Sequence, residues 1–133
     1  MEIATGYFAR AKAYAEQGYA LISIARRTPW FIAKELTVYS LGELAPTDEI
    51  LDLKDNPQEY CKRFRKEVLG RANSQELLRQ MELIARQENA NGVVLMCYEA
   101  PDKFCHRHLV AEWLENELGT IINEVHIATK NSV

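Results

Sequence analysis

Residues 1–27 read MEIATGYFARAKAYAEQGYALISIARR, and the last part of that stretch decides the architecture. Ala20, Leu21, Ile22, Ser23, Ile24 and Ala25 form a nearly unbroken apolar run. A half-exposed strand would alternate apolar and polar residues. A parallel strand covered by helices on both faces loses that alternation. Upstream, Ile3 to Tyr7 reads as a short strand, followed by a helix to about Gln17 and a stop at Gly18. The stretch is therefore a βαβ unit.

The rest of the chain continues the same alternation. Arg26 to Pro46 has no helical period and contains Pro29 and Pro46, so it reads as a long excursion with room for a short pairing around Leu36 to Tyr39. Thr47 followed by Asp48 and Glu49 is a helix start, and Asn56 followed by Pro57 is a cap and a first helical residue. The second of these helices carries Tyr60, Phe64 and Val68 on one stripe and halts at Gly70. A third starts at Asn73 or Ser74 and carries Leu77, Leu78, Met81, Ile84 and Ala85. Val93 to Met96 is again an all-apolar strand, Lys103 to Leu118 a helix ended by Gly119, and Ile121 to Ile127 a last strand. The pattern predicts an α/β fold of three layers: a mostly parallel sheet of about four strands with helices on both faces, Rossmann-like in the broad sense. No G-x-G-x-x-G opens a helix, so no nicotinamide or flavin cofactor is expected.

At 133 residues the chain fits a single domain spanning 1–133, and 47% hydrophobic with 26% charged residues is a globular composition. A net charge of −3 argues against coating nucleic acid or an acidic membrane by bulk electrostatics. The stretch Lys54 to Arg71 is locally basic and Glu112 to Glu124 acidic, a pattern that two solvated helix faces also produce. Three cysteines do not make a disulfide framework, and the first residues lack a signal peptide's basic and apolar regions, so the expected location is the cytoplasm. No apolar run approaches the ~20 residues of a membrane span, so a membrane partner is not expected.

Chemistry concentrates in CYEAPDKFCHRHLVAEWL, Cys97 to Leu114. Cys97, Tyr98 and Glu99 leave the carboxyl end of a strand, Asp102 can cap the following helix, and that edge of an α/β sheet is where ligands bind. On a helical wheel, Leu109, Val110, Trp113 and Leu114 define the buried face with His106 near its centre, Arg107 and Cys105 on its two flanks and His108 towards solvent. The helix start and Arg107 would meet an anion, a phosphate or carboxylate. A cysteine there has its thiolate favoured, which suits Cys105 or Cys97 as a nucleophile. The alternative is that Cys97, continuing an apolar strand, simply packs. A zinc site from Cys97, Cys105 and a histidine has suitable donors. Its spacing matches no common zinc pattern, however, and neighbouring helical residues diverge in direction, so no metal is expected. Cys97 and Arg107 stand too far apart for a phosphatase-type cysteine loop. Arg26, Arg27 and Trp30 leave the second strand, and Thr5 and Tyr7 close the first, so these five are candidate ligand-binding residues at the same edge.

The same stretch resembles the signature of the domain of unknown function 488 family, in which a strand ends in Cys-x-Glu and a Cys-His-Arg opens the next helix. ATGYFARAKAYAEQGYALISIARRTPW is similar to that family's N-terminal block, and YSLGELAPTDEIL with the Asn-Pro helix to its middle. The resemblance implies a compact α/β fold and marks Cys97, Glu99, Cys105, His106 and Arg107 as site residues, without supplying a reaction. The expectation is an enzyme or enzyme-like protein holding a phosphate-bearing ligand or nucleic acid. In it His106 is acid or base, Glu99 an orienting group, and Cys97 or Cys105 the nucleophile if there is one. A noncatalytic binding module and a thiol redox sensor built on Cys97 and Cys105 are the rival readings.

Overall fold

The computed structural model describes residues 1–100 and 103–126. Five strands, β1 (Glu2–Tyr7), β2 (Tyr19–Ser23), β3 (Val38–Ser40), β4 (Gly92–Cys97) and β5 (Asn123–Glu124), form one sheet in the order β3-β2-β4-β1-β5. Every pairing in it is parallel. The expected sheet of about four strands is thus one strand short. The pairing suggested near Leu36 to Tyr39 exists as β3, starting two residues later and ending one residue later, and the last strand is confined to Asn123–Glu124 among the described residues.

β4 is buried along its whole length, and its side chains divide between two cores. Val93 and Leu95 join Ile22, Ile24, Phe64, Leu77, Met81 and Val110 on one face, while Val94 and Met96 join Leu21, Phe8, Tyr14 and Ile32 on the other. The strand's period of two produces this split. Burial on both faces is why its sequence shows no alternation. The first core is roofed by α3 (Asp48–Leu51), α4 (Pro57–Arg63), α5 (Ser74–Gln87) and α6 (His106–Leu118), the second by α1 (Ala11–Glu16) and α2 (Trp30–Glu35). The three expected layers are present.

Helix starts follow local chemistry. The side chains of Thr47, Asn56 and Asn73 accept from the backbone N–H of Ile50, Glu59 and Glu76, closing the first turns of α3, α4 and α5. α4 runs into a π turn over Phe64–Val68, which keeps Phe64 and Val68 in the core beside Tyr60. The excursion after β2 is more ordered than expected: it contains α2 and a 3-10 turn over Gly42–Leu44. α6 begins at His106 rather than Lys103. Asp102, expected as its cap, lies outside the described residues, and Cys105 occupies the N-cap position with extended backbone, φ −152° and ψ 143°.

Candidate functional site

β2 leads to α2 on one face of the sheet, and β4 leads to α6 on the other. Neighbouring parallel strands whose connections part to opposite faces leave a crevice above their carboxyl ends. A cavity of about 360 Å³ sits at that edge, lined by Ala25, Arg26 and Arg27 after β2, by Cys97, Tyr98 and Glu99 after β4, and by Lys103, Phe104, Cys105 and His106 at the start of α6. Pro46, Leu51, Lys54 and Tyr60 close its far wall. This volume is in the range of small-molecule sites.

The deepest part holds sulfur and imidazole. Cys97, Cys105 and His106 are all buried, and one donor atom from each lies within 4.8 Å of the other two. The sulfurs of Cys97 and Cys105 stand at bonding distance from each other, although their Cα atoms are 7.2 Å apart. His106 Nε2 is 2.6 Å from the carbonyl oxygen of Ile24, while Nδ1 lies 3.8 Å from Cys105 Sγ. A carbonyl can only accept, so Nε2 carries the proton and Nδ1 presents its lone pair to the sulfur. Burial pushes the His106 imidazole down to about 4, against the opposing pull of the Ile24 carbonyl. The ring is therefore neutral across the physiological range.

Arg107 corrects the wheel-based expectation. It has no exposed surface and does not line the cavity. Its Nε and Nη2 donate to Oε1 and Oε2 of Glu124 at 3.0 and 2.9 Å, and its Nη1 donates to the Glu99 carbonyl at 2.6 Å and to Cys97 Sγ at 3.1 Å. The guanidinium thus supports the cavity floor from behind instead of facing a ligand. Glu124 was missed as a site residue. It lies in β5 opposite Thr5, whose hydroxyl donates to the same carboxylate at 2.7 Å. Burial works to raise the Glu124 carboxyl, and the hydrogen bonds from Arg107 and Thr5 overcome that and hold it below its ordinary range.

The other candidates divide. Arg26 and Arg27 line the cavity, both exposed and both within 3.6 Å of Asp48, and Glu99 lines it opposite them. Thr5 belongs to the Glu124 network, and the Tyr7 ring lies under Arg107, 5.8 Å from the guanidinium carbon. Trp30 opens α2 and is 74% exposed, packed edge-on against Phe31. Neither Thr5, Tyr7 nor Trp30 is among the described lining residues, because the β1 end and α2 lie on the other side of the seam. Lys54 and Lys103 were not singled out as ligands, yet both line the cavity. Only the fold brings them beside Arg26, since the chain separates the three by long intervals.

Among the described residues no helix is long and apolar enough to cross a membrane. No curated protein and no solved structure matches the chain. A family model does match, that of DUF488-N3a, described as the active DUF488-N3 subclade, and it covers residues 7–118, which includes both walls of the cavity and all of the sulfur–imidazole floor. The chain belongs to the DUF488 family.

Proposed function

We propose that this chain is an enzyme that holds a small phosphate-bearing molecule in the β2/β4 cavity and presents it to the Cys97–Cys105–His106 floor. One observation carries the reading: Arg26, Arg27, Lys54 and Lys103 surround a cavity whose floor is two sulfurs and a neutral imidazole. Among the described lining residues four cations face one carboxylate, Glu99, and even with Asp48 beside the two arginines the balance favours an anion in that space. Two of them are arginines, whose forked donors match phosphate oxygens. The cations converge on one half-open cavity instead of spreading along a face, which favours a small ligand over a nucleic-acid strand. The description of the matched subclade as active accords with a site that does chemistry.

Calorimetric titration with inorganic pyrophosphate tests the binding, and protection of Cys97 and Cys105, kept reduced with a phosphine, from iodoacetamide tests its location. The expected result is saturable binding that weakens with added salt, that falls about tenfold or more in Arg26→Ala/Lys54→Ala/Lys103→Ala, and that slows alkylation. No heat of binding, or binding indifferent to the triple substitution, would overturn the reading.

A further inference from the structure

We propose that Cys97, Cys105 and His106 are the three protein ligands of a zinc-type divalent metal ion whose fourth coordination position opens into the cavity. This goes beyond the anion reading and does not depend on it. The donors are two sulfurs and one imidazole nitrogen, mutually within 4.8 Å and all buried. That set suits zinc, and three protein ligands with one open position is the pattern of catalytic rather than structural zinc.

The surroundings of each donor are those of a ligand. His106 is locked by its Nε2 hydrogen bond to the Ile24 carbonyl, which leaves Nδ1 free to coordinate. Metal-bound histidines characteristically have their second nitrogen held this way. Cys97 Sγ receives an N–H from Arg107, itself fixed by the two oxygens of Glu124, and such an outer donor steadies a thiolate ligand. Consecutive residues on a helix would point apart, which was the argument against a metal. Cys105, however, precedes the helix in extended backbone, so its sulfur and the His106 ring converge.

Charge and spacing agree. Two thiolates and one divalent ion sum to zero, and Arg107 with Glu124 also sums to zero, so the buried assembly carries no net charge. On loading, the two thiols give up two protons to solvent as the two metal–sulfur bonds form, with no change of oxidation state. The Cα separation of 7.2 Å exceeds the ~4.4–6.8 Å that a disulfide usually spans. Glu99 lines the same cavity and is not one of the three donors.

The test is cobalt(II) titration of the full chain, freed of metal with a chelator and kept reduced with a phosphine. The expected result is one equivalent bound, with sulfur-to-cobalt charge-transfer bands and the intense visible bands of a four-coordinate site, displaced by zinc. Cys97→Ser and Cys105→Ser should each weaken binding by about 100-fold or more. His106→Cys should keep the stoichiometry while changing the spectrum, and Cys61→Ser, away from the cavity, should leave both unchanged. No thiolate band in the reduced wild-type protein, or undiminished binding in a folded Cys97→Ser/Cys105→Ser variant, would overturn the proposal, and the wild-type spectrum decides it even if that variant fails to fold. Pyrophosphate titration of the chelated protein separates the two readings, because the anion site should survive without metal.

Discussion

The Arg107 guanidinium and the Glu124 carboxylate share two hydrogen bonds of 3.0 and 2.9 Å in a place where the arginine has no exposed surface at all. The pair fastens β5 to the start of α6, and it does so directly beneath Cys97. A buried ion pair of this kind is a weak source of stability while intact and a large liability when halved. Glu124→Gln keeps the shape of the carboxylate but leaves the arginine charge without its counter-charge. Urea denaturation should show a loss of ~3–5 kcal/mol. The paired apolar replacement Arg107→Met/Glu124→Leu should recover much of that loss. If Glu124→Gln is as stable as the wild type, the pair does not hold this corner together.

The same carboxylate sets an acid limit. Arg107 and Thr5 hold Glu124 below its ordinary range despite burial, so the folded state binds its proton less readily than the unfolded chain does. The stabilisation is therefore complete above the unfolded value of about 4.3 and drains away as pH falls through the lower folded value. The stability difference between wild type and Glu124→Gln should be flat from neutral pH to about 5 and shrink below about 4.3. A difference that instead widens on acidification would contradict the sign.

Asp48 competes with any anion in the cavity. Its carboxylate lies 3.4 Å from Arg26 Nε and 3.6 Å from Arg27 Nη1, and all three side chains are substantially exposed. Exposed pairs of this sort contribute about 0–1 kcal/mol, so Asp48→Asn should leave the denaturation midpoint nearly unchanged. Pyrophosphate affinity should rise by roughly 2–5-fold at low salt, and the gain should fade as salt is added. Equal affinities at low salt would remove the two arginines from the ligand's environment.

Much of this fold could be read along the chain. The apolar run of β2, the Asn-Pro start of α4 and the five-residue stripe of α5 are local signals, and local periodicity or capping chemistry produced the element in each case. β3 and β5 were harder, since short strands are defined by their neighbours in the sheet more than by their own residues. His106 was placed correctly by the helical wheel because its burial follows from its angle on α6. Arg107 was not: its burial depends on Glu124, seventeen residues later, and no periodicity announces a partner that distant. The convergence of Cys105 on His106 was also hidden, because it turns on α6 starting three residues later than its sequence suggested. The four cations of the cavity come from three separate segments, which only the β2/β4 seam gathers together.

Gly92 opens β4 in register with Glu2 of β1, and the two backbones pass so closely that a side chain has no room. A Cβ built at Gly92 would meet the Glu2 carbonyl oxygen in hard contact and lie 3.1 Å from its carbonyl carbon. These are backbone atoms of the β1–β4 ladder, so they cannot yield as a flexible side chain would. Gly92→Ala should therefore cost ~1–3 kcal/mol or more, by forcing β1 and β4 apart at the end opposite the cavity. Gly42 is the matched control, since nothing lies within 4 Å of a Cβ added there. Gly42→Ala should be neutral or stabilising by up to ~1 kcal/mol, through the reduced freedom of the unfolded chain. Thermal melts of the two variants should fall on opposite sides of, or differ clearly relative to, the wild-type midpoint. Equal destabilisation would show that the tight β1–β4 approach at Gly92 is not what limits substitution there.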